Sequence, residues 1–228
     1  MNANTALWQR AFTTDPAAVK PITGKQYKGN SPKPYWIVQR LTEEFGPCGI
    51  GWGFTILGER FERFGEHESL HVAIVRLWYV MRDDRGSMDG KRGEFEQVGQ
   101  TRASYMSAGG KFIVDEDAPK KSVTDALVKC ASYLGFAGDI FSGMWDDSKY
   151  VQQAAQHYAG QEEAKQAAQM RAAWLEEQAA KLTDCKTAED LQSVWKAAFR
   201  VMKQENDDDA IATLTPIKDR AKAALEAA

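Results

Sequence analysis

Charged side chains recur every fourth residue in the segment 117–135 of this chain, which reads DAPKKSVTDALVKCASYLG. Lys121, Asp125 and Lys129 follow this spacing, which stacks side chains on one face of an α-helix. A helix that presents spaced ammonium groups on one face can lie along a phosphate backbone. The same pattern also fits an ordinary amphipathic helix with solvated lysines, and periodicity alone does not separate the two interpretations.

The same segment carries the signals of a helix with one buried side. Asp117 is a suitable N-cap, and Pro119 fits the first turn because its missing N–H would have no partner there. Gly135 is a suitable end. Four apolar residues at helical spacing predict the buried stripe, namely Val123, Leu127, Cys130 and Leu134.

A second pattern with chemical meaning is His67, Glu68 and His71, which match the H-E-x-x-H pattern of zinc hydrolases. That pattern needs a helix, because its two histidines bind zinc from one helical face while the glutamate activates water. Residues 71–82 (HVAIVRLWYVMR) are rich in β-branched and aromatic types and predict a strand. In a strand the two histidine backbones would lie about 13 Å apart. A zinc hydrolase therefore stays only as an alternative function.

No other pattern predicts bond chemistry. There is no Walker-type phosphate loop, and no serine or cysteine stands in a recognisable catalytic set with a histidine. The three cysteines, Cys48, Cys130 and Cys185, are far apart and fit reduced thiols of a cytosol. No apolar run is long enough for a membrane span, and no signal pattern opens the chain. We expect a cytoplasmic protein that is not an enzyme, without catalytic residues, metal, cofactor or membrane contact.

The residue types in segment 117–135 resemble the corresponding helix of the Rad fifty-two type single-strand annealing proteins, which include phage Sak-like recombination proteins. Two further segments resemble that family in the right order. Residues 35–46 (YWIVQRLTEEFG), followed by Gly51 and Trp52, resemble its first helix and the entry to its first strand. Residues 145–150 (WDDSKY) resemble the segment after the lysine helix. The resemblance covers residues 33–151.

The resemblance implies ATP-independent binding of single-stranded DNA and annealing of complementary strands in phage-type recombination, by a homo-oligomeric ring or filament. The family's helix carries two adjacent basic residues after its Asp-x-Leu. Val128 and Lys129 stand there in this chain, so one charge is absent. We interpret Thr124 and Asp125 as structural residues that fix the helix against the sheet. The DNA-binding residues predicted on this basis are Lys33, Trp36, Arg102, Lys111, Lys120, Lys121 and Lys129.

The order of the predicted elements gives an α+β core at residues 34–155. A helix over 34–45 precedes strands at 51–62, 71–82 and 94–106, which form an antiparallel three-strand meander, and the lysine helix then packs on it. The polar segment 83–93 is predicted to be the turn between the second and third strands. Residues 1–33 are predicted to be an extended basic arm whose cations and aromatics, such as Lys25 and Tyr27, hold DNA or pack on a neighbour.

Residues 156–228 are rich in Ala, Gln and Glu and predict an all-α C-terminal domain. Thr187 and Asp190 predict a capping box, and Pro216 is predicted to begin or kink the last helix. These helices either bind a partner, such as an exonuclease or a single-strand binding protein, or fold back on the core or extend its oligomer.

The charge distribution agrees with a local basic surface although the whole chain has a net charge of −3. Residues 1–40 carry a net charge of +5, whereas residues 41–150 carry −5 and residues 151–228 carry −3. Cations are therefore concentrated near the amino end. An oligomeric scaffold that binds recombination partners without annealing DNA stays as a further alternative.

Overall fold

The structure is a computed structural model that describes residues 3–23, 28–82 and 88–226. The chain divides into two compact units, residues 1–158 and residues 159–228. Lys25 and Tyr27 of the predicted arm, and residues 83–87 of the predicted polar turn, lie outside the described residues.

The first unit combines short helices with a long-stranded antiparallel sheet. Its helices are α1 (Ala6–Ala11), α2 (Pro34–Phe45), α3 (Ala118–Ser132) and α4 (Gly138–Phe141), and α5 (Ser148–Asp184) begins in this unit. Its strands are β1 (Val19–Pro21), β2 (Asn30–Pro32), β3 (Trp52–Phe64), β4 (Glu68–Arg82), β5 (Met88–Met106) and β6 (Phe112–Val114). This arrangement confirms the predicted α+β class.

The large sheet has the antiparallel order β3-β4-β5-β6, and β1 and β2 form a separate two-stranded sheet. The three long strands are the predicted meander, to which β6 adds a short fourth strand that pairs only with residues 104–106 of β5. β5 begins at Met88, six positions earlier than predicted. Polar and glycine residues continue this strand because it is paired with β4 from Arg82 onward. Pairing with a neighbour overrides their low strand propensity.

Helices α2 and α3 enclose the main core of the first unit with one face of the sheet. Ile37, Leu41 and Phe45 are the buried face of α2, as their spacing predicts, and Gly46 follows with a φ of +99°. They pack with Trp52, Leu77, Leu127, Cys130 and Phe136. Helix α3 lies mainly over β4 and β5.

The interface of α3 with the sheet consists of small residues, which differs from the stripe that the sequence predicts. Leu127 and Cys130 are buried, but Val123 and Leu134 are only half-buried. The fully buried positions are Ala118, Ser122, Ala126, Cys130 and Ala131. The reason is a close approach at Gly99, where an added Cβ would lie 1.9 Å from the carbonyl oxygen of Ser122. Small residues let the helix lie directly on the strand.

The described part of residues 1–33 is folded on the first unit and is not the extended arm that the sequence predicts. Ala11 and Thr14 are fully buried, and Ala18 is nearly so. Thr14 hydrogen-bonds through both its backbone N–H and its hydroxyl to the carboxylate of Asp139. Gly135, predicted only as a helix end, also seats Trp8, because an added Cβ would lie 2.9 Å from the Trp8 Cα. These long-range contacts leave no periodic trace in the sequence.

The second unit is helical and contains the larger part of α5, from residue 159 onward, together with α6 (Ala188–Gln204) and α7 (Asp208–Glu226). Its core is formed by Leu182, Leu191, Ala198, Met202, Ala210 and Leu214. The predicted cap is present in part. The Asp190 N–H donates to the Thr187 hydroxyl, and this hydroxyl, rather than the Thr187 backbone N–H of a complete capping box, donates to the Asp190 carboxylate. Pro216 lies inside α7. Across the described residues, no helix combines the length and apolarity that crossing a lipid bilayer requires.

Candidate nucleic-acid interface

A groove of about 830 Å³ runs between helix α3 and the β1–β2 sheet of the first unit. The solvent-facing side of α3 forms one wall, residues of β1 and β2 form the other, and α4 closes the apolar end. Four lysines and two aspartates line it, namely Lys20, Lys120, Lys121, Lys129, Asp117 and Asp125. Three of the predicted DNA-binding residues, Lys120, Lys121 and Lys129, are therefore brought together in one concave surface.

The two lysines in the first turn of α3 are each paired with a carboxylate just before the helix. Lys120 Nζ lies 2.9 Å from an Asp117 oxygen, and Lys121 Nζ lies 2.6 Å from an Asp115 oxygen. The hydrogen bond to Asp117 raises the pKa of Lys120, and the hydrogen bond to Asp115 raises the pKa of Lys121. The bond from Lys120 lowers the pKa of Asp117. Both lysines are therefore firmly cationic, but their charge is partly compensated.

Lys129 and Asp125 form a different arrangement, in which both contact the backbone of β5. Their side chains are 2.8 Å apart, Asp125 accepts the Gln100 N–H at 3.2 Å, and Lys129 donates to the Val98 carbonyl at 3.4 Å. The stretch of β5 around these residues has no strand on its outer side within the described sheet. The pair therefore satisfies an otherwise open strand edge.

Asp125 thus contacts the sheet as its predicted structural role requires. Thr124 does not, because its hydroxyl donates to the Lys120 carbonyl within α3. Its side chain lines the groove instead. The prediction that both residues fix the helix against the sheet therefore describes only one of them.

The groove also has an apolar end that no sequence pattern indicates. Ile22, Val128, Ile140 and Phe141 line it, and Phe141 is 51% exposed. Val128, one of these apolar residues, directly precedes Lys129 in α3. An exposed aromatic ring beside a row of cations can stack a nucleobase while the cations contact phosphates.

The apolar end is held in place by the buried carboxylate of Asp139, which directly precedes Ile140 and Phe141. It accepts hydrogen bonds from Thr14, from the Ile140 N–H at 2.9 Å, from the Trp145 indole at 2.9 Å and from the Tyr150 hydroxyl at 2.8 Å. Burial and the hydrogen bond to this carboxylate raise the pKa of Tyr150. The segment WDDSKY therefore supplies structural donors to α4.

The remaining predicted DNA-binding residues lie outside the groove lining. Lys33 is exposed at the N-cap of α2, between the lining residues Pro32 and Pro34. Trp36 is half-buried and packs against the main core. Arg102 lines a separate small pocket with Phe64 and Glu68, and Lys111 is exposed in the turn between β5 and β6.

The H-E-x-x-H residues do not form the arrangement that zinc hydrolases need. His67 lies in the turn between β3 and β4, and Glu68 and His71 lie in β4. The His71 ring is buried against Phe61, whereas the His67 ring lies near Phe112. The two imidazoles thus contact different parts of the sheet. Over the part of the chain that the structure describes, no three His, Cys, Asp or Glu side chains are grouped to hold a metal ion.

Sequence reasoning missed Lys20 and Phe141 as members of the groove. Lys20 lies in β1, a strand of three residues that is too short for a periodic pattern. Phe141 lies in α4, a helix of four residues, which is also too short for a periodic pattern. The pairing of β1 with β2 places Lys20 opposite Ser31. Tertiary contacts, which a strand of three residues does not reveal in sequence, thus place Lys20 in the groove lining.

Comparison of the chain with models of known protein families, and with curated protein sequences, finds no match.

Proposed function

We propose that this protein binds single-stranded DNA and anneals complementary strands without ATP, as part of phage-type recombination. The observation that carries the proposal is the convergence of Lys20, Lys120, Lys121 and Lys129 on one groove. It joins the resemblance of segment 117–135 to the helix of Rad fifty-two type annealing proteins, whose activity needs a strand-binding groove.

The geometry supports contact with the sugar-phosphate backbone. From Lys120 to Lys129 the helix rises about 13 Å, which spans a few nucleotides. Lysine ammonium groups contact phosphates regardless of sequence, and the released counterions make affinity fall with salt. One base can stack on Phe141, and the other bases stay available for pairing. Pairing two strands requires no bond cleavage, so the proposal needs no metal, cofactor or nucleotide.

A groove this short favours a homo-oligomer, either a ring or a filament, that repeats it along the DNA. β3 lies at the edge of the described sheet. Five of its exposed residues are large and apolar, namely Phe54, Ile56, Leu57, Phe61 and Phe64. An edge strand with apolar side chains can pair with a further chain. We assign the subunit contact to this strand. We also propose that the protein acts in the cytoplasm of the bacterial host.

The second unit offers a separate place for a protein partner. A groove of about 580 Å³ between α5 and α7 is lined by Ile217, Ala221 and Leu225, with Lys186 and Arg220 at its side. Apolar residues beside cations suit a partner segment with apolar and acidic side chains. An exonuclease or a single-strand binding protein of the recombination machinery is the partner that we assign to it.

The ion pairs of α3 favour a second candidate function. Because Lys120, Lys121 and Lys129 each have a carboxylate partner, their groove is less cationic than the lysine count suggests. An oligomeric scaffold that binds recombination proteins without holding DNA is consistent with such a surface. It predicts no binding of single-stranded DNA even at low salt.

The two candidates are separated by mixing labelled complementary oligonucleotides with the full chain, without ATP, over a salt series. We expect pairing faster than the spontaneous rate at low salt, with acceleration lost as salt rises. Lys121→Ala should weaken binding of all sequences and reduce the salt slope by about 1. Lys165→Ala, a matched change of an exposed lysine in α5 away from the groove lining, should change neither quantity. Pairing at the spontaneous rate would leave the scaffold as the better account.

A further inference from the structure

The three acidic residues that precede α3 differ in whether they form an ion pair with a groove lysine, and this difference affects how the groove binds an anion. Asp115 and Asp117 contact Lys121 and Lys120, respectively. Glu116 lies between them, is exposed, and has no ion pair within the described part of the chain. Three carboxylates in a row thus comprise two that hold a groove lysine and one that does not.

A phosphate that enters the groove meets lysines that already have an anionic partner. The ammonium–carboxylate pairs are solvent-exposed, and such pairs are weak, so a phosphate can displace the carboxylate or share the ammonium group with it. The displaced carboxylate stays tethered close by and returns when the phosphate leaves. Each ion pair therefore reduces the net free energy gained when a phosphate binds. It also reduces the free energy needed to release that phosphate.

We propose that Asp115 and Asp117 act as internal counter-ions that compete with DNA phosphates for Lys121 and Lys120 and so set the affinity and release rate of the strand. This inference rests on the proposed function, because it concerns the same groove. Annealing requires that the groove hold a strand and then give it up to its complement. Lysines without an internal partner would hold the strand more tightly and release it more slowly.

The alternative role for these aspartates is to position the lysines, and it predicts the opposite effect. If Asp115 and Asp117 only orient the ammonium groups toward the DNA, their loss should weaken binding. If their charge acts only through the general field, then Glu116 should matter as much as they do. The direction of the change on removing an aspartate distinguishes competition from positioning, and comparison with Glu116 distinguishes both from a general field effect.

The test uses the full chain with Asp115→Asn, Asp117→Asn or Glu116→Gln, each of which removes one negative charge. Asparagine at position 115 keeps an oxygen that can accept the Asp117 N–H now bonded to Asp115. The Asp117 side chain accepts no hydrogen bond from a backbone N–H in the first turn of α3, so asparagine at position 117 removes no cap. The fold should therefore persist, which circular dichroism checks. The probe is a labelled oligothymidylate, with affinity from anisotropy and release from stopped-flow competition.

We expect each aspartate variant to bind about two- to five-fold more tightly and to release the oligonucleotide correspondingly more slowly. Glu116→Gln should change both quantities by less than either aspartate variant. Equal effects of all three variants, unchanged affinity, or weaker binding by the aspartate variants would overturn this inference alone. Absence of binding by the unaltered chain at low salt would instead overturn the proposed function.

Discussion

The carboxylate of Asp139 receives both the backbone N–H and the hydroxyl of Thr14, at 2.8 and 2.5 Å, although 125 positions separate the two residues. Thr14 precedes β1, the strand that carries Lys20, and Asp139 lies in α4, the helix that also carries Phe141. One buried carboxylate thus ties together two of the walls of the groove. The groove is consequently a product of tertiary folding and not of α3 alone.

Replacing Asp139 by asparagine should destabilise the first unit. Both oxygens of the Asp139 carboxylate accept hydrogen bonds. An asparagine amide would replace one of them by an NH₂ group, which would face at least one of the N–H or O–H donors of Thr14, Trp145 and Tyr150. Loss of buried hydrogen bonds to a charged group costs about 2–3 kcal/mol. Urea unfolding of the full chain should show this loss for Asp139→Asn. Asp146→Asn, an exposed aspartate nearby in sequence, serves as the control, and equal stability of the two variants would contradict the assigned role.

The contact of Gly99 with α3 gives a second prediction about stability. Gly99→Ala would place a methyl group 1.9 Å from the Ser122 carbonyl and 2.5 Å from the Ala126 nitrogen, both of which are backbone atoms. Because backbone cannot rotate away, the helix must shift, which costs about 1–3 kcal/mol or more. Gly58→Ala in β3 is the matched control, because an added Cβ there meets no atom within 4 Å. A thermal unfolding midpoint lowered by both changes alike would argue against close helix–sheet packing.

The elements that the sequence predicts correctly are those with strong local signals. Helix α2 has the predicted bounds because an apolar face, a proline at its start and a glycine after its end agree. The long strands β3 and β4 are rich in aromatic and β-branched residues. The cap at Thr187 follows from two residues three apart. Each of these signals is contained in a short stretch of chain.

The parts that escaped prediction depend on contacts between distant segments. β1 is only three residues long, so its pairing with β2 and the resulting position of Lys20 cannot be read from periodicity. The small-residue interface of α3 looks polar or neutral in sequence, because Ser122 and Ala126 are not strong apolar signals. The lysine row of α3 was predicted, but its pairing with Asp115 and Asp117 depends on how the chain enters the helix.

The second unit should lose stability in acid through Asp207. Two short hydrogen bonds from Arg171, together with the Ala210 N–H, lower the pKa of Asp207 from 3.8 to about 2. Because the folded-state pKa is depressed, this stabilisation is present above the unfolded-state value and is lost as the pH falls through about 2. Thermal unfolding over this pH range should therefore show a steeper acid loss for the unaltered chain than for Asp207→Asn.

The matching control for that experiment is Asp209→Asn, which changes an exposed aspartate in the first turn of α7. It should keep the steep acid loss, because the bond between Arg171 and Asp207 remains. Asp207→Asn should lower the unfolding temperature at neutral pH, with a difference that narrows as the pH falls. A constant difference across the pH range would show that the ion pair does not control acid stability.

Phe141 should contribute to DNA binding through its ring if the apolar end of the groove holds a base. Stacking of one base on an aromatic side chain contributes about 1–3 kcal/mol. Phe141→Leu keeps an apolar side chain but removes the ring, so it should weaken binding of oligothymidylate, and Phe141→Ala should weaken it at least as much.

An oligonucleotide without bases should bind the unaltered chain and the Phe141→Leu variant equally, because phosphate contacts are all that it can make. Phe112→Leu, which alters an exposed aromatic residue of β6 outside the groove lining, should bind the normal oligonucleotide as the unaltered chain does. Equal affinity of Phe141→Leu and the unaltered chain for the normal oligonucleotide would show that no base stacks on Phe141. The groove would then bind DNA through phosphate contacts alone.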